Sequence, residues 1–113
     1  MDDKRSEALE LLNDIKHLDE TLAVYKREEG KNNAKDYLQM LQENEKALIA
    51  RKKEALRVIK QMKPKNQRLI MLRYFERKTK EEIGEIVGYT YKAVWGKIHE
   101  AEAEFMDLFE NIT

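Results

Sequence analysis

Two histidines, one serine and no cysteine leave this chain of 113 residues few groups that make or break covalent bonds. His17 and His99 fall on separate expected elements, and neither a His-Glu-x-x-His spacing nor a Gly-rich phosphate loop occurs. Ser6 belongs to a terminal cap. Glu81, Glu82 and Glu85 stand at the start of an expected helix, where the dipole favours carboxylates without making them an acid and base. No catalytic, metal or cofactor site is therefore expected, and no enzyme. The chemistry on offer is recognition. Tyr91, Lys92, Trp95, Gly96 and His99 lie close together, and at helical spacing Lys92, Gly96 and His99 oppose an apolar stripe, with Trp95 at its flank and Tyr91 near its edge. Lys92 can donate to guanine, and Trp95 and Tyr91 can pack on thymine methyls or sugars. Gly96 removes bulk at the closest approach, or is simply tolerated. His99 can meet a phosphate or base, or is an ordinary exposed histidine. Trp95 has an equal alternative, burial against the N-terminal half. Around them Lys65, Arg68, Arg73, Lys78, Lys80 and Lys97 can meet phosphates, which position a protein without specifying sequence.

The elements that must hold these residues are two helices and a turn. Ile83 and Val87 share one face of the first, with Gly84 beside them where a side chain would hold packed helices apart. Thr79 caps this helix, and Glu82 three residues on completes a capping box. Gly88 ends it at a position wanting a left-handed residue. Thr90 is a good N-cap for the second helix, expected over about residues 90–105. There Val94, Ile98, Ala101, Phe105 and Leu108 form one stripe. Together these features predict a helix-turn-helix with its second helix suited to the major groove. A helical bundle that reads no DNA is the bland alternative.

Met62-Lys63-Pro64, the run Arg68 to Phe75, Glu82-Ile83-Gly84, Gly88-Tyr89-Thr90, Val94, Ile98-His99 and Ala101 resemble the fourth region of bacterial sigma factors. The resemblance starts at Met62 and does not extend to the N-terminal half. As a whole the chain resembles small phage and prophage transcriptional regulators of the ArpU type, which carry a sigma-like reading domain alone. The resemblance implies cytoplasmic, sequence-specific binding of double-stranded DNA. It also implies RNA polymerase as an alternative partner, because the sigma region contacts it. Sigma-like recognition helices often carry several Arg or Lys where this chain has Lys92, Trp95, Gly96 and His99.

The N-terminal half predicts two long helices. In the first, starting at Ser6 and ending near Gly30, Leu11, Ile15, Leu18, Leu22 and Tyr25 recur as a heptad seam widened by Leu9 and Leu12. The second runs from Asn33 or Ala34 toward Met62, with Asn44 and Arg51 interrupting its seam. Asn44 either sets the register of a dimer or is solvated; Arg51-Lys52-Lys53 either steers DNA or is a solvated face. Such a hairpin covers little of its apolar surface alone and needs a second copy or its own C-terminal half. Pro64 breaks the chain, and a third helix to about Arg77 turns Leu69, Ile70, Leu72, Tyr74 and Phe75 inward. The expectation is an all-α protein of five helices, with an antiparallel hairpin over 1–62 serving homodimerisation and a three-helix reading domain over 63–113.

Net charge is zero, unusual for a DNA binder, but its distribution is uneven. Basic residues outnumber acidic ones from Lys63 to His99, whereas Glu100, Glu102, Glu104, Asp107 and Glu110 make the tail acidic. No apolar run reaches membrane-spanning length and no signal peptide opens the chain, so a cytoplasmic protein without membrane contact is expected. Three functions compete: a transcriptional regulator reading bases, an RNA polymerase-binding adaptor that reads none, and a phage DNA-packaging small subunit.

Overall fold

A computed structural model of the protein describes residues 3–31 and 34–112. Among the described residues the structure is all-α, with no strand. The helices are α1 (Asp3–Lys16), α2 (Leu18–Lys31), α3 (Lys35–Ile59), α4 (Pro64–Ile70), α5 (Lys80–Val87) and α6 (Tyr91–Ile112). None of them is long and apolar enough to cross a membrane.

The first expected helix is in fact two. His17 N–H reaches back only three residues, to the Asp14 carbonyl at 3.2 Å, and the α-helical ladder is interrupted there. Neither neighbour of His17 is a helix breaker, so the cause lies in packing. Ala8, Leu11, Leu12 and Ile15 of α1 are buried in a core shared with α6 and the end of α3, whereas α2 packs on α3. The second expected helix stops at Ile59, short of Met62, and residues 60–62 close as tight turns onto Leu56, Val58 and Ile59. Asn33, one of its two expected starts, lies outside the described residues.

Pro64 occupies the first turn of α4, where its missing donor costs nothing. No side chain of α4 caps that helix. Glu104 of α6 instead ties down the start of α4, accepting from Lys63 N–H at 3.1 Å and from Asn66 Nδ2 at 2.8 Å. After Ile70 the helix widens into one π turn, Met71–Phe75, with Glu76 N–H donating to Met71 O at 2.9 Å. Arg77 then takes a left-handed conformation (φ 56°), unusual for a residue with a Cβ, and its side chain pairs with Glu20 of α2.

Phe105, Leu11, Leu12, Ile70, Ile83, Ile98, Val58 and Val94 are the largest wholly buried side chains. They come from both sides of the Lys63–Pro64 break, so one core runs across the expected boundary between 1–62 and 63–113. Of the expected seam, Leu11, Ile15, Leu18 and Leu41 are buried within the chain. Leu22, Tyr25 and Leu48 are half-buried, Asn44 is exposed, and Arg51 pairs with Asp14 at 2.8 Å. Val24, Met40 and Ile49 remain exposed on α2 and α3.

Candidate nucleic-acid interface

The turn between α5 and α6 follows from local chemistry. Thr79 Oγ1 accepts from Glu82 N–H at 3.2 Å while Glu82 Oε1 accepts from Thr79 N–H at 2.9 Å, the reciprocal capping box. The two hydrogen bonds from Thr79, the backbone one first, hold the Glu82 carboxyl below the ordinary carboxylate range. Gly88 ends α5 in the left-handed region at φ 79°. Thr90 Oγ1 accepts from Ala93 N–H at 3.2 Å and starts α6. A Cβ on Gly84 would stand 2.9 Å from Tyr89 O and 3.2 Å from Val94 Cγ2, so the absent side chain lets the turn and α6 close onto α5.

From this base α6 buries Val94, Ile98, Ala101, Phe105 and Phe109. Leu108, expected in the stripe, is half-buried, and Phe109 lies deeper. Lys92, Gly96 and His99 lie on the opposite side, with Trp95 at the flank of the stripe and Tyr91 near its edge at the start of the helix. Tyr91 is 55% exposed and Trp95 38%, and Lys92, Gly96 and His99 are also exposed. Trp95 is thus a surface side chain rather than one buried against the N-terminal half. It stacks on His99, with ring centroids 5.2 Å apart and planes 16° from parallel, and the Lys80 ammonium lies over its ring. Nothing comes within 4 Å of a Cβ placed on Gly96, so the helix surface is open there.

The six phosphate candidates fall in different surroundings. Lys65 and Arg68 are exposed and border a small groove with Leu69, Val87 and Tyr89. Lys97 lies 5.8 Å from the Tyr89 ring and 3.6 Å from Glu100. Lys78, Arg73 and Lys80 are half-buried. Desolvation, then the Arg73 guanidinium and Lys16 of α1, push the Lys80 ammonium below its ordinary pKa. Glu81 and Glu85 share a second groove with Lys80, Tyr89 and Tyr91. They place negative charge beside the start of α6.

Sequence reasoning missed the residues behind this surface. Tyr74, on the π turn and only 6% exposed, donates its hydroxyl to Glu102 Oε2. Burial, then that hydrogen bond, pushes the phenol far above its ordinary pKa, so it stays a donor. The other oxygen of Glu102 lies 3.3 Å from His99 Nδ1. The His99–Glu102 spacing of three is visible in the sequence, but Tyr74 shows there only as one more inward aromatic. The acidic tail is also occupied: Asp107 and Glu110 pair with Arg5 of α1 at 2.6 and 3.4 Å. No group of three or more His, Cys, Asp or Glu placed to hold a metal occurs among the described residues. No family model matches the chain, and no curated protein or solved structure is significantly similar to it.

Proposed function

We propose that the protein is a sequence-specific DNA-binding transcriptional regulator that sets the N-terminal half of α6 in the major groove. One observation carries the reading. Tyr91, Lys92, Trp95, Gly96 and His99 are all exposed on the N-terminal half of a helix whose apolar stripe is locked into the core. Such a helix, started by a cap and held by a short turn, has the form by which helix-turn-helix proteins reach base edges. The resemblance to sigma region four and to ArpU-type regulators points the same way, and a cytoplasmic location is part of the proposal. A homodimer is part of the proposal, with exposed Val24, Met40 and Ile49 on α2 and α3 as its contact. Light scattering should then give twice 13.5 kDa.

Selection of bound sites from random DNA tests the reading directly. Symmetric half-sites would support both base reading and the dimer. On the selected site Lys92→Ala should cost about 1–3 kcal/mol and relax one base pair. Lys65→Ala should weaken all sequences alike and lower the salt slope by about one. Unchanged site preference in both Lys92→Ala and Trp95→Ala would defeat base reading. The adaptor for RNA polymerase would then take over. Glu81 and Glu85 beside Tyr91 favour that second reading, because they oppose a phosphate backbone and suit a basic protein surface.

A further inference from the structure

Exposed aromatic side chains at a reading surface are costly to order on binding unless something fixes them beforehand. Trp95 and His99 meet that problem in an unusual way. Both project from one side of α6, one turn apart, and stack. Behind them is a chain of contacts that sinks stepwise into the core. The His99 side chain is 65% exposed, that of Glu102 only 14%, and Tyr74 is 6% exposed. Glu102 joins the two, with one carboxylate oxygen on His99 and the other on the Tyr74 hydroxyl. Tyr74 cannot shift easily, since its ring belongs to the central core and its backbone to the π turn. Lys80, at the first turn of α5, holds the Trp95 ring from a second element.

From this geometry we infer that Tyr74 and Glu102 are positioning residues for base reading. Through His99 they fix the pose of Trp95 while touching no nucleic acid themselves. The inference rests on α6 being the DNA-reading helix, and it adds which core residues determine the specificity of that helix. Lys80, counted above among phosphate contacts, belongs to the same device and restrains the indole. The physical gain is preorganisation. A Trp95 free to rotate would pack equally on several base steps, whereas a fixed indole fits one.

Trp95 is the chain's only tryptophan, so its fluorescence reports the restraint with no DNA present. The full-length protein and its Tyr74→Phe, Glu102→Ala and Glu102→Gln variants would be compared by anisotropy and acrylamide quenching. The ratio of affinities for the selected site and a scrambled one would then be measured. Tyr74→Phe and Glu102→Ala should lower the anisotropy and speed quenching. They should also cut the affinity ratio about fivefold or more, the low end of what one good base contact provides. Glu102→Gln, which keeps an oxygen for Tyr74, should recover part of both. Binding to the scrambled site should hold. A merely structural role would lower stability and leave the ratio intact. Unchanged fluorescence in Tyr74→Phe and Glu102→Ala overturns the restraint. Altered fluorescence with an unchanged ratio overturns its role in reading, while the reading helix itself stands. A wild-type protein with no site preference removes both, and shows this without any variant. Should Tyr74→Phe lose helix content, Glu102→Ala and Glu102→Gln carry the same comparison.

Discussion

Two glycines inside helices should respond to the same substitution with opposite sign. Gly96 lies within α6 with nothing inside 4 Å of a Cβ placed on it. Alanine there removes the entropic penalty of glycine and meets no neighbour, so Gly96→Ala should stabilise by about 1 kcal/mol. Gly84 lies within α5 and carries the same intrinsic penalty. Its added methyl, however, would stand 2.9 Å from the Tyr89 carbonyl oxygen and 3.2 Å from Val94 Cγ2. The first neighbour is backbone in a turn already fixed by Gly88 N–H and Tyr89 N–H, which both donate to Gly84 O. The second is a β-branched side chain with no exposure, so neither can yield cheaply. Overpacking of this kind costs about 1–3 kcal/mol. With a backbone atom as the obstacle the upper end applies, and subtracting the propensity gain leaves Gly84→Ala destabilising by about 2 kcal/mol. Urea denaturation of both variants beside the wild type measures the two shifts. A Gly84→Ala protein as stable as the wild type would refute the close approach of α5, the turn and α6. A destabilised Gly96→Ala would refute the open surface. If Gly96→Ala is more stable yet binds the selected site less well, the helix comes close to DNA at that point.

Glu104 ties the start of α4 to α6, so Glu104→Ala should cost about 1 kcal/mol in urea denaturation, the usual net worth of a hydrogen bond, with Glu104→Gln losing less. The folded protein holds the Glu82 carboxyl below its ordinary 4.5, so its contribution to stability is fully present above that value and is lost as pH falls through the lower folded one. Stability measured from neutral pH down to below 4.5 should therefore fall more steeply for the wild type than for Glu82→Gln, and parallel curves would count against the capping box.

What could be read from the sequence was what is local. The capping box needs only Thr79 and Glu82, the turn only Gly88 and Thr90, and the buried stripe of α6 only the spacing of Val94, Ile98, Ala101 and Phe105. The break at His17 was not readable, because a heptad of Leu11, Ile15 and Leu18 looks the same whichever helix it will meet. The tie at the start of α4 is hidden for a similar reason: the acceptor for Lys63 N–H lies 41 residues away. The wide turn at Met71–Phe75 and the left-handed Arg77 have no glycine to announce them. Trp95 fell between two readings because its angle on the helix places it at the border of the stripe. Only the packing of α5, with Lys80 above the indole, determines which side of that border it takes.

Residues 63–113, expected from the sequence as a separate domain, should not stand alone. Its core is closed from outside by Leu11, Leu12 and Ile15 of α1, by Val58 and Ile59 at the end of α3 and by Met62 just after it, all buried. Burying one such side chain stabilises by about 1.5–3 kcal/mol, so removing these six forfeits about 9–18 kcal/mol before their partners are counted. A domain of this size has only about 5–15 kcal/mol of net stability, so the loss matches or exceeds the whole. A 63–113 fragment should therefore show weak helical dichroism and no cooperative melt, while the full chain melts cooperatively. Adding a separate 1–62 peptide should restore helix content, because the missing surface is supplied in trans. A fragment that folds alone with a sharp transition would mean that α1 and the end of α3 only lean on a finished core.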